Sequence, residues 1–260
     1  MIVVAARCGR KTKGKLSMAQ RELVTERDVD GLVFTGEMYG VQLDQLAMFL
    51  RLEPVRARAV AARWREAGYA RTGRLGPGPM WIWLTKPGLT ACGLRYLAVP
   101  PALSRLAHIR AVSSVRLALA ATSSFQHAHA FWRSERRLRA GYRIGTRDHL
   151  PDGEVHWPSG AAVPWAGECW AIEAELTRKT IQRTTAIMRE LLTRTGDYGC
   201  PATEAAVRGR PPRHTRAVYL CSAAALPTVA RARAALGPLS DRVEIRELPS
   251  AAAFPAPRGS

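Results

Sequence analysis

His149-Leu150-Pro151-Asp152-Gly153, followed after a turn-rich stretch by Trp170-Ala171-Ile172-Glu173-Ala174-Glu175-Leu176-Thr177-Arg178-Lys179, is the part of the chain whose reading decides the fold. The second run has strand character. Side chains two apart on a strand share a face, so Glu173 and Glu175 are expected on one side of a sheet, with Asp152 arriving near the start of the strand before it. Lys179, four residues beyond Glu175, is close enough to fold back over the acids. In a chain with 39 Lys and Arg against 21 Asp and Glu, carboxylates gathered at one point need an explanation. A hard divalent cation, Mg2+ or Mn2+, held by Asp152, Glu173 and Glu175, is one; a solvated strand edge is the plainer one.

The formal net charge of +18 exceeds what solubility requires and points to a polyanion partner. The excess is spread along the chain: residues 1–100 carry 16 basic and 8 acidic side chains, and residues 101–260 carry 23 and 13. Residues 1–17 read as a basic arm. The five cysteines (Cys8, Cys92, Cys169, Cys200, Cys221) are scattered and never form C-x-x-C, which fits reduced thiols in a cytoplasm better than a disulfide framework or a zinc ribbon. His127 and His129 have no Cys or His partner at metal-binding spacing. No apolar run is long enough to span a bilayer, so no membrane partner is expected.

Residues 18–97 read as one unit. Thr25-Glu26-Arg27-Asp28 has the form of a capping box, opening a helix with Val29, Leu32 and Val33 on one face. Leu43, Leu46 and Leu50 mark a second helix, and Pro54 opens a third whose inner stripe is Ala57, Val60, Trp64 and Ala67. Strands Ala70 to Leu75 and Met80 to Thr85 follow, joined by Gly76-Pro77-Gly78-Pro79. In the second of them Ile82 and Leu84 alternate with Trp81 and Trp83. Three helices and a glycine-rich hairpin are the order of a winged helix-turn-helix. Arg56, Arg58 and Arg63 on the third helix would meet bases and phosphates, and Arg71 and Arg74 on the wing the flanking backbone. Protein docking is the other use of such a module.

Residues 98–122, with Leu103, Leu106, Ile109, Val112 and Val115 at three-residue steps, read as a linking helix that either joins two domains or pairs two chains. Phe131 to Arg139 then carries Glu135, the only acid between Glu66 and Asp148, set among Arg133, Arg136, Arg137 and Arg139. It is a salt-bridge partner or a further metal ligand. A helix from Thr177 or Arg178 runs through Ile181, Met188 and Leu192, with Lys179 in its first turn and Arg183 and Arg189 outward. Residues 200–216 read as a loop. A strand Ala217 to Cys221, a helix near Pro227 to Leu236 and a strand Val243 to Leu248 complete a domain over residues 123–248, and residues 249–260 read as a tail. The fold class expected is α+β, with a mixed central sheet in the second domain.

A helix bearing Glu135, then Pro151-Asp152-Gly153, then Glu-x-Glu-Leu-Thr-x-Lys resembles the PD-(D/E)xK nuclease superfamily. With the N-terminal winged helix, about residues 22–248 resemble the replication-relaxation family of actinobacterial plasmids and mobile elements. The resemblance implies a restriction-endonuclease-like fold, a role in plasmid replication or transfer, and a Mg2+-dependent DNA endonuclease site comprising Glu135, Asp152, Glu173, Glu175 and Lys179. Where the superfamily most often has lysine two residues after the second acid, this chain has Glu175, and Lys179 would substitute from the following segment. The alternative is a DNA-binding initiator or regulator that keeps the fold without turnover. DNA is the partner expected, with a second copy of the chain and replication or transfer proteins as further candidates.

Overall fold

A computed structural model of the chain describes residues 25–76, 78–140, 148–196 and 211–249, so the basic arm and nearly all of the tail lie outside the described residues. The chain is α+β. Its first part is α1 (Glu26–Glu37), β1 (Val41–Gln42), α2 (Leu43–Leu50), α3 (Pro54–Glu66), β2 (Ala70–Gly73), β3 (Trp81–Leu84) and α4 (Lys86–Ala91). The Thr25 capping box is present, both Thr25 and Asp28 bonding back to the other's amide. Asp28 also anchors the packing of α1 on α3, accepting from Trp64 Nε1 at 3.1 Å and from Arg63 at 2.9 and 3.1 Å.

Two expectations shift in this part. The buried residues of α1 are Asp28, Gly31, Leu32, Phe34, Thr35, Gly36 and Glu37, while Val29 and Val33 are only half-buried; at Gly31 the Trp64 ring comes close enough that a Cβ would lie 2.7 Å from it. Trp81 is buried together with Ile82 and Leu84, since β3 is the middle strand of a three-stranded antiparallel sheet ordered β1-β3-β2. The two-residue β1, pairing Val41 with Ile82, is too short to leave a periodic signal.

After a 3-10 turn, α5 (Leu106–Ala120) and α6 (Ser123–His127) lead into β4 (Phe131–Ser134), α7 (Glu135–Ala140), β5 (Gly153–His156), β6 (Cys169–Glu175), α8 (Ile181–Thr193), β7 (Arg216–Cys221), α9 (Leu226–Ala234) and β8 (Val243–Glu247). The five strands form one mixed sheet in sequence order, antiparallel from β4 to β6 and parallel from β6 to β8. Helix α5 covers one face of that sheet. Its apolar stripe, Ile109, Val112 and Val115, is buried, and one continuous core runs from the N-terminal helices through α5 to Trp170, Ile172, Ala174, Val218 and Leu220. These three are used inside the chain, whereas Leu106 is half-buried and Leu103, at the head of the expected stripe, is exposed. Met188 and Leu192 of α8 and Val229 and Ala232 of α9 cover the opposite face at Ala217, Tyr219 and Cys221.

Arginines also hold the N-terminal helices to the rest. Arg110 reaches Asp44 at 2.7 Å, Arg116 reaches Glu37 at 3.1 Å, and buried Arg136 donates to the Gly36 carbonyl at 2.7 Å while lying over the Tyr39 and Tyr96 rings. Part of the positive charge therefore serves the interior. Helix α8 starts later than the sequence suggested: Thr180 caps it, accepting from the Arg183 amide, so Lys179 stands just ahead of the helix and not in its first turn.

Candidate active site

The acids converge at the ends of β6 and β7. Glu173 and Glu175 point to the same face of β6, opposite Tyr219 and Cys221 in the parallel register, and both are buried. Asp152 precedes β5, and because β5 runs antiparallel to β6 it comes alongside this end of β6. Its Oδ2 accepts from the Ala174 amide at 2.8 Å. Burial, then the neighbouring Glu173, Glu175 and Asp152 carboxylates, push the Tyr219 phenol well above its ordinary value. Tyr219 is buried beside Glu173 in the β6–β7 register, and its hydroxyl has no hydrogen-bond partner among the described residues.

Two histidines complete the cluster, and sequence reading missed both as site residues. His108 on α5 meets Asp152 Oδ1 at 2.7 Å, and His149 in the segment before β5 meets Glu173 Oε1 at 2.7 Å. The hydrogen bond to Asp152 raises His108 against the opposing effect of burial. Burial pushes the Glu173 carboxyl up to about 7, against the pull of His149. His149, although burial works the other way, is raised by the Glu173 charge. A proton shared between these two side chains is therefore held to higher pH than either would hold it in water. His149 directly precedes Leu-Pro-Asp, which was a usable signal; His108 lies 44 residues from Asp152, and no spacing rule reaches that far.

The other expected residues fall as follows. Lys179 Nζ bonds to Glu175 Oε1, folding back as its spacing suggested. Glu135 opens α7, where its amide donates to the Asp152 carbonyl at 3.1 Å, while its carboxylate is bound by Arg105 at 3.2 Å and by Arg139. It is a salt-bridge partner beside Asp152. Asp152, Glu173 and Glu175 do not bring three donor atoms within 4.8 Å of one another; among the described residues the group that does so is Glu154, Cys169 and His214.

In the N-terminal part, Arg56, Arg58, Arg71 and Arg74 are exposed. Arg58 and Arg74 line a cleft of about 550 Å³ between α3 and the β2–β3 hairpin, together with Arg65, Thr72 and Met80. Arg65 was missed, although Arg58 and Arg65, seven apart on α3, share a helix face as clearly as Arg56 and Arg63 do. Arg63, half exposed, spends its guanidinium on the buried Asp28. No helix among the described residues is long and apolar enough to cross a membrane. Comparison with protein-family models, with curated proteins and with solved structures found no match.

Proposed function

We propose that this chain is a DNA-binding protein whose five-stranded sheet carries a divalent-metal-dependent phosphodiesterase site, acting in plasmid or mobile-element replication or transfer. The observation that carries the reading is Glu173 and Glu175 buried on one face of β6, with Asp152 bonded to the intervening Ala174 amide and Lys179 folded onto Glu175. Glu173 and Glu175 are buried, Asp152 is half-buried beside them, and Glu173 is weakened as an acid; three carboxylates are the oxygen donors that Mg2+ or Mn2+ takes. Such an ion supplies Lewis acidity to water and to a scissile phosphate. Asp152 and Glu173 would hold it, Glu175 would take a proton or hold a second ion, and Lys179 would offset charge developing on the phosphate. Glu135, fixed by Arg105 and Arg139, orients the strand end that carries Asp152.

The N-terminal arrangement of α1 to α3 with the β2–β3 hairpin supports a winged helix-turn-helix. In that reading α3 offers Arg56 and Arg58 to the groove, and the hairpin offers Arg71 and Arg74 to the backbone, with the arginine-lined cleft between them.

The test is conversion of supercoiled plasmid to nicked or linear forms with Mg2+, Mn2+ or chelator. Asp152→Ala and Glu173→Ala should each abolish metal-dependent cleavage while DNA binding persists. Undiminished cleavage by both variants would remove these residues from the chemistry. A second reading, a DNA binder without turnover, is favoured by one observation: Glu175 is already neutralised by Lys179, and the acids must move to share an ion. Binding without nicking under any metal would select it.

A further inference from the structure

A second polar cluster lies at the other end of β5 and β6, apart from the acids that would hold Mg2+. Fully buried Glu154 on β5 meets His156 Nε2 and His214 Nε2, each at 2.9 Å. Cys169, pairing with His156 across the β5–β6 register, places its sulfur 3.7 Å from the same His156 Nε2. We propose that Cys169, His156, His214 and Glu154 form a binding site for a borderline-soft divalent cation of the zinc class.

The donor set is one thiol, two imidazoles and one carboxylate, the mixture zinc takes in four-coordinate sites and magnesium does not. Bond lengths of about 2.0–2.1 Å to nitrogen and 2.3 Å to sulfur put tetrahedral N and S ligands about 3.6 Å apart. The His156–Cys169 separation of 3.7 Å is already of that size. Donor atoms of Glu154, Cys169 and His214 all lie within 4.8 Å of one another; His156 stands outside that group and adjoins it through Glu154 and Cys169, so it would swing in as the fourth ligand.

The surroundings are those of a metal site as well. His214 Nδ1 faces the Leu191 carbonyl at 3.0 Å and donates to it, while Nε2, turned to the cluster, faces the Glu154 carboxylate and must give up its proton to ligate. That bond fixes the ring as outer partners fix ligating histidines. Arg213 donates to both Glu154 oxygens, at 2.6 and 2.9 Å, the outer bond that a ligating carboxylate usually has. Uptake of the cation releases the thiol proton and any proton on the histidine Nε2 atoms to solvent. None of this depends on the nuclease reading.

The experiment uses the full chain, stripped with chelator and titrated with Co2+ and then Zn2+. Expected are the intense visible bands of tetrahedral cobalt and a near-ultraviolet thiolate-to-cobalt band, both erased by one equivalent of Zn2+. Cys169→Ser should lose the thiolate band, and His156→Ala should weaken binding by at least about tenfold. Asp152→Ala, which touches only the other cluster, should leave the spectrum unchanged. Absence of the bands, or a thiolate band that survives in Cys169→Ser and so belongs to another cysteine, overturns the proposal. Circular dichroism of each variant, matched to the parent, keeps either result from being a folding artefact.

Discussion

His149 Nε2 stands 2.7 Å from Glu173 Oε1, tying the segment ahead of β5 to the central strand of the sheet. The same residue's amide donates to Glu190 on α8 at 2.9 Å, so one histidine joins three parts of the chain around a buried carboxyl.

This pair sets a pH dependence. Glu173 holds its proton up to about 7 in the folded chain, against an ordinary value of 4.5, so folding takes up a proton between those values and stability falls as pH rises across them. His149, against the effect of burial, is raised chiefly by the Glu173 charge, so the two share one proton and His149 adds no second, independent contribution. Glu173→Gln should flatten the slope and stabilise the chain above pH 7 by at most about 3 kcal/mol. Urea unfolding of parent and variant at acid and alkaline pH measures it; parallel pH profiles for the two proteins would show that Glu173 is not the source.

Much of this site could be read in the sequence because it is local. Glu173, Glu175 and Lys179 lie within seven residues, and strand periodicity plus the reach of a lysine is enough to put them together. The Thr25 capping box, Pro54 at a helix start and the buried stripe of α5 were legible for the same reason. What failed was set by tertiary pairing. Phe131–Ser134 forms β4 only because β5 runs beside it; alone, it adjoins an arginine-rich helix and shares that helix's composition. Glu154, His156, Cys169 and His214 come from three segments, and none stands at a spacing that metal-ligand rules recognise.

Glu154 carries an opposite pH dependence. Burial opposes its charge, but hydrogen bonds from His156, His214 and Arg213 hold its carboxyl far below the ordinary range. Its contribution is present above the unfolded carboxylate value and is lost as pH falls through the folded one. Glu154→Gln leaves Arg213 and His214 facing an uncharged group and should cost about 3–5 kcal/mol near neutral pH, with the loss narrowing in acid. Denaturant midpoints at neutral and acid pH test this, and a cost below about 1 kcal/mol at neutrality would mean that water or another acid replaces Glu154.

Arginines of α3 should divide into two kinds. Arg63 is tied to Asp28, whose carboxyl, despite burial, is held below its ordinary value by Thr25, Arg63 and Trp64. Arg63→Ala should therefore lower stability and leave the salt dependence of DNA affinity nearly unchanged. Arg58→Ala and Arg74→Ala, on the cleft walls, should barely alter stability and should each reduce the slope of log affinity against log salt by about 0.9. Thermal melts and binding at several salt concentrations separate the two. The assignment reverses if Arg63→Ala alone changes the slope.

Gly153 links the sheet's packing to the acid cluster. It pairs with Ile172 as the first residue of β5, and a Cβ built on it would lie 2.0 Å from Cζ2 of the buried Trp132 ring. Trp132 belongs to β4 and pairs with Val155, so it cannot retreat without parting β4 from β5. Gly153→Ala should cost about 1–3 kcal/mol by overpacking. Asp152 is the residue just before it, and its bonds to His108 and to the Ala174 amide depend on where β5 begins. Plasmid nicking, if this cluster performs it, should therefore fall together with stability. Trp132→Leu in the same chain opens space at the clash and should recover part of both losses. A double-mutant cycle isolates the contact: a coupling energy of at least about 0.5 kcal/mol is expected. Equal destabilisation by Gly153→Ala with and without the tryptophan would put the strain elsewhere.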